Sequence, residues 1–146
     1  MKAIYSPEYY SEESVEIDVD TVEDMAELIR TVHLQSDLSA DEADGGVSVI
    51  ILSGTVGVLI LAPVDERIVL FYELDGAVEG YTSVDPSGSL DEEQTYWFSY
   101  FGSASEVLQR NSLSQDVAMA AVAQFMADPS TKPMVPGLDW EKDWDF

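Results

Sequence analysis

Cysteine is absent from the 146 residues, which excludes disulfides, thiol catalysis and cysteine-bound zinc together. Histidine occurs once, as His33, so a two-histidine metal site is excluded and a Ser-His-Asp arrangement would have to be built around that residue. His33 follows Val32 in what reads as the end of a helix, where an imidazole meets the helix's negative end in a structural role. Basic residues are scarce as well: 6 against 29 acidic ones, a formal net charge of −23. So few cations leave little with which to stabilise an anionic transition state, and no catalytic activity is expected. A surface this acidic repels phosphate backbones and anionic lipid, while it speeds encounter with a basic partner. No apolar run is long enough to span a membrane, and the opening "MKAIYSPEYYSEE" has no apolar signal core. A cytoplasmic protein that touches neither membrane nor nucleic acid directly is the expectation.

What the chain does have is enough apolar material to fold. At 46% hydrophobic residues it lacks the weak hydrophobicity that disorder requires alongside high charge, and its length suits one domain. Residues 1–12 mix tyrosines with Pro7 and read as an irregular lead-in. "SVEIDV", Ser14 to Val19, alternates apolar and acidic residues as a half-buried strand does. Thr21 then caps a helix, with Asp24 in a capping-box position and Val22, Met25, Leu28, Ile29 and Val32 forming one apolar stripe that should pack on a sheet. "SDLSADEADGG", Ser36 to Gly46, reads as an acidic loop.

Three apolar runs of strand length follow, "VSVIILS", "VGVLILA" and "IVLFYEL", and then "AVEGYTSV". Their connections, around Gly54, at "PVDER" and at Asp75-Gly76, are short enough to require antiparallel neighbours. After the loop "DPSGSLDEEQ" comes an aromatic strand, "TYWFSYF", stopped by Gly102. A second helix extends from about Ser114, its cap, to Ala127, with Val117, Ala121, Val122 and Phe125 on the apolar face and Asp128-Pro129 as the stop. A proline-broken crossing leads to an acidic-aromatic tail, residues 139–146. The expectation is an α+β domain over residues 1–146, an antiparallel meander of about five or six strands packed with two helices.

Chemistry-bearing motifs are few. "GTVG", Gly54 to Gly57, lacks the Lys-Ser/Thr pair of a phosphate loop and joins two strands, so it reads as a hairpin turn. Asp91, Glu92 and Glu93, or Asp18 with Asp20, could meet a cation, but the sequence shows neither a third ligand direction nor a fixed geometry, so they read as a solvated acidic rim and neither metal nor cofactor is expected.

The run "YWFSYFGS", the helix "LSQDVAMAAVAQFM", a proline-containing turn and "LDWEKD" together resemble the first-numbered immunity-protein family of bacterial polymorphic toxin systems, often encoded beside deaminase toxins. The matching features are Tyr100, Phe101 and Gly102, the helix, Pro133 or Pro136, and Trp140 with Glu141. Ser103 departs from the pattern where a second glycine often follows, and the tail continues past Glu141 with "KDWDF". The resemblance implies an α+β inhibitor that binds one cognate toxin domain, a deaminase or nuclease, inside the producing cell as a monomer or 1:1 heterocomplex. Steric and electrostatic blocking of a cationic substrate cleft would be its mode of action. The alternatives are a stand-alone acidic mimic of nucleic acid and a small enzyme whose site is invisible in sequence.

Interfaces draw most of their energy from a few aromatic or charged anchors, and two acidic regions carry aromatics nearby. The partner-binding expectation therefore falls on Asp91, Glu92, Glu93 and Trp97, and on Glu141, Asp143, Trp144 and Asp145 in the tail. Trp140 is expected in the core, and Trp144 and Phe146 in a frayed end.

Overall fold

The computed structural model describes residues 1–6, 13–39, 47–64, 66–74, 79–88, 94–101 and 103–145, with the side chains of 33–39, 47, 99, 103–104 and 144–145 outside that description. The main sheet is built on β4 (Ile50–Ser53), β5 (Gly57–Val64), β6 (Arg67–Leu74) and β7 (Glu79–Val84), which follow one another as an antiparallel meander. It is extended on one side by β1 (Lys2–Tyr5) and β2 (Val15–Asp18), and on the other by β11 (Asp139–Asp145). The short β10 (Ser112–Leu113) also pairs with β6. A second, three-stranded sheet contains β3 (Val47–Ser48), β8 (Thr95–Tyr100) and β9 (Ser103–Leu108). Two helices, α1 (Val22–Ser39) and α2 (Gln115–Ala127), complete an α+β fold whose sheets are mostly antiparallel.

The continuous apolar runs of β4 to β6 have a simple cause: both faces of the sheet are covered. Ile50, Leu52, Leu59, Leu61, Ile68, Leu70 and Tyr72 pack on one face against Met25, Leu28, Ile29 and Val32 of α1 and Ala118, Ala121, Val122 and Phe125 of α2. On the opposite face Ile60, Ala62, Val64 and Val69 meet Phe98, with Tyr96, Phe101 and Val107 at the margin. The result is three layers, helices, main sheet and small sheet. α1 begins with the expected capping box: the Asp24 amide donates to Thr21 Oγ1 at 3.1 Å and the Thr21 amide to Asp24 Oδ2 at 3.2 Å. α2 begins at Ser114, whose hydroxyl accepts from the Val117 amide. The hairpin between β4 and β5 closes with the Gly54 amide donating to Gly57 O, and a Cβ at Gly54 would lie only 2.5 Å from the Pro129 carbonyl oxygen.

Several expectations are corrected. Among the described residues the sheets hold eight and three strands, more than the five or six expected. The lead-in contains β1, which sits inside the sheet between β4 and β2, with Ala3 fully buried. The stretch after Gly102 forms β9. Residues 36–39 belong to α1, so His33 lies within that helix, not at its end. The C-terminal stretch is not frayed: residues 139–145 form β11, which pairs antiparallel with β7 and carries an irregularity between Lys142 and Trp144. The Asp75-Gly76 turn, most of the acidic stretch 40–46, the segment 89–93 and Phe146 lie outside the described residues.

β11 explains why aromatics and carboxylates alternate at the end of the chain. It is the outermost strand of the main sheet, and charges and a bulge on such a strand discourage pairing with another chain. Trp140 turns to the helix side, where its ring packs on Tyr72 with centroids 6.4 Å apart and its indole N–H donates to Pro133 O at 2.8 Å.

Candidate functional site

A cleft of about 220 Å³ opens where the small sheet stops covering the main one. Its lining includes Ile60 on β5, Phe71 and Glu73 on β6, Phe98 and Tyr100 on β8, Ser105 on β9 and Asp143 on β11. Strand alternation sets this lining: Phe71 and Glu73 are two apart on β6, as are Phe98 and Tyr100 on β8, so each pair shares a face. Phe71 and Phe98 meet with ring centroids 5.7 Å apart, and Tyr100, 43% exposed, packs edge-on against Phe101 at 5.2 Å. Directly across from Glu73 on β7 stands Gly80, which has no side chain to fill the space beside the carboxylate.

Both carboxyls of the cleft are harder to ionise than usual. Burial pushes Glu73 above its ordinary value, and its carboxylate makes no hydrogen bond or ion pair with any described residue. Burial likewise raises Asp143, against the hydrogen bond that Thr82 Oγ1 donates to it and with help from the nearby Glu141 charge. The Tyr100 hydroxyl is pushed up by burial and by the charge of Glu73. The cleft is thus an apolar, aromatic trough with two carboxyls lacking a counter-cation.

Among the described residues, no lysine or arginine is free to supply one. All 6 basic residues lie in the described part, and each is engaged. Lys2 pairs with Asp18, Arg30 with Glu27, Arg67 with Asp85, Arg110 with Glu141 and Lys142 with Glu79. Lys132 lies over the Tyr81 ring, 3.6 Å from its centroid. Arg67 also ties β6 to β10 and to Asp85 just after β7, while Arg110 ties the segment before β10 to Glu141 on β11. Arg67 Nε donates to Ser112 Oγ at 2.8 Å, while Asn111 Nδ2 donates to Ser83 O and to Glu141 Oε1.

The sequence-predicted contact residues fall into three groups. Asp91, Glu92 and Glu93 lie outside the described residues. Trp97 is 45% exposed and alternates with the inward Tyr96 and Phe98, so it stands on the far side of the small sheet from the cleft. In β11 the residues diverge: Glu141 is tied to Arg110 and Asn111, whereas Asp143 lines the cleft. Trp144 and Asp145 pair through the backbone with Gly80 and Glu79. The structure therefore does not bring Trp97 and Asp143 to one surface. Glu73 and Phe71 are not singled out by the sequence, and Tyr100 enters only through the family resemblance, not as a contact residue. The available signal was a lone carboxylate in "IVLFYEL" on the same strand face as the apolar Val69 and Phe71, four and two residues before it.

A larger open trough, about 630 Å³, is lined by Glu66, Arg67, Ser114, Gln115 and Asp116 at the start of α2. Its cation, Arg67, is already held by Asp85 and Ser112. Among the described residues, no three His, Asp or Glu side chains converge as metal ligands, and no helix is long and apolar enough to cross a membrane.

Because Glu73 is uncompensated, its ionisation has a definite effect on stability. The folded carboxyl titrates above its ordinary 4.5, so the penalty is absent below that value, grows as pH rises through the folded pKa and is complete above it. Glu73→Gln, which never ionises, is expected to melt at a higher temperature than the parent at about pH 7 and at the same temperature at about pH 3.5. Thermal melts of the two proteins at both pH values check this, and a variant less stable at neutral pH would show that the carboxylate has a compensating partner.

No model of a known protein family matches the chain, and no curated protein does.

Proposed function

We propose that this chain is a non-catalytic, acidic inhibitor of the immunity-protein kind, which binds a basic bacterial toxin domain and blocks its nucleic-acid-facing cleft. The observation that carries the reading is the complete engagement of the chain's 6 basic side chains against a formal net charge of −23. An anionic substrate or nucleic acid meets no free cation here, while a cationic surface meets a strongly attractive one. The α+β architecture is of the class that the family resemblance implied, and from Thr95 onward the order is the aromatic strand β8, the strands β9 and β10, the helix α2 and the terminal strand β11. The partner is a toxin domain, a deaminase or a nuclease, whose groove must be cationic to hold a phosphate backbone. The complex forms in the cytoplasm of the producing cell with one copy of each chain, and this protein supplies no chemistry to it.

Affinity capture from the source cell, followed by identification of the retained protein and assay of its activity, tests the proposal. The expected result is a basic protein that acts on nucleic acid and loses that activity in the complex. Recovery of only acidic or neutral partners, or of a basic partner fully active in the complex, would contradict it.

A further inference from the structure

We infer that the cleft between the two sheets receives an arginine side chain of the basic partner, with its guanidinium facing Glu73 and Asp143 and its stem against Phe71, Phe98 and Tyr100. The inference rests on the function proposed above and assigns a specific contact to it.

Size comes first. At about 220 Å³ the cleft is smaller than the roughly 300–1,000 Å³ of pockets that enclose whole small molecules, so it suits one side chain better than a cofactor or substrate. Charge comes next: the cleft carries the carboxyls of Glu73 and Asp143, and the chain has no uncommitted basic residue to place between them. Glu73 is half-buried and Asp143 stands at the open edge, and a cation from outside would offset the partial desolvation that raises both carboxyls.

The walls then decide between the two basic side chains. Phe71, Phe98 and Tyr100 offer ring surfaces, and a planar, weakly hydrated guanidinium stacks on such surfaces while forking hydrogen bonds to carboxylates. A lysine ammonium is compact and strongly hydrated, so it gains less from an aromatic trough and loses more on entering it. Accessibility also fits: Tyr100 is 43% exposed at the mouth, and Asp143 lies on the outermost strand of the main sheet. An arginine seated between these aromatic walls is an anchor, whereas carboxylates elsewhere on the surface act mainly on the rate of encounter.

The probe is N-acetyl-arginine amide, titrated into the full chain with labelled aromatic rings and followed by NMR, beside the lysine and citrulline counterparts. The expected result is a saturable shift of the Phe71, Phe98 and Tyr100 ring signals with arginine, a response at least several-fold weaker with lysine and none with citrulline. Glu73→Gln, checked by its melting curve as folded, is expected to weaken the arginine response at least tenfold. Equal shifts with citrulline, or arginine shifts that spare these three rings, overturn the inference. A second measurement separates it from the function reading: residence time on the captured partner, for the parent and for a Glu73→Gln, Asp143→Asn double variant. A partner that leaves the double variant at least tenfold faster supports the cleft. Equal residence on both overturns the cleft alone, and a parent that captures no basic partner overturns the function reading and the partner's arginine with it.

Discussion

Phe125→Ala is expected to destabilise the fold by about 3–5 kcal/mol, the range for truncating a large buried aromatic. Phe125 is fully buried on α2, and its ring meets Tyr72 edge-on with centroids 6.3 Å apart. The ring tip lies where a Cβ on Gly54 would be, 2.7 Å from it, so helix and hairpin are in close contact at this point. The cavity left by alanine has little means of collapsing. The β4–β5 hairpin is tied by the Gly54 amide to Gly57 O at 2.9 Å, and by the Thr55 amide to Pro129 O at 3.2 Å, just beyond the end of α2. For a chain of this size each kcal/mol lowers the melting temperature by about 2–4 °C, so a fall of about 6–20 °C is expected. A calorimetric scan with a shift under about 3 °C would mean that α2 is not packed on the sheet in this way.

The second large effect is kinetic. With a formal net charge of −23 and every cation engaged, this protein is expected to be captured by a basic partner at a rate that falls by about 10- to 100-fold between roughly 0.05 and 0.5 M salt. The dissociation rate should change far less, because contacts buried away from solvent are screened weakly. Stopped-flow association at several ionic strengths measures both. Neutralising Asp91, Glu92 and Glu93 to their amides should slow association modestly, since those side chains are only part of the acidic field. An association rate independent of salt would remove electrostatic steering from the mechanism.

Local signals in the sequence were readable wherever they had a local cause. The Thr21–Asp24 box, the Ser114 cap, the Met25 to Val32 stripe and the meander from β4 to β7 all depend on residues close together in the chain. What was missed depends on distant pairing. β1 holds only "KAIY", and its place is fixed by β4, whose register sets Ala3 opposite Leu52. β9, "SASEVL", is weak as a strand by itself and is held by β8, with Trp97 opposite Glu106. β11 reads as a charged tail until β7 lies beside it. The cleft follows the same rule, because it joins β5, β6, β8, β9 and β11. The continuous apolar runs did carry one unused clue: strands apolar on both faces require a second covering layer, and the small sheet supplies it.

The activity of the purified toxin domain on its nucleic acid, measured as this protein is added, tests the proposed inhibition most directly. A linear fall to near zero at one equivalent, partly reversed by added salt, is the predicted result. Undiminished activity at a tenfold excess, under conditions where the two proteins remain bound, would contradict it.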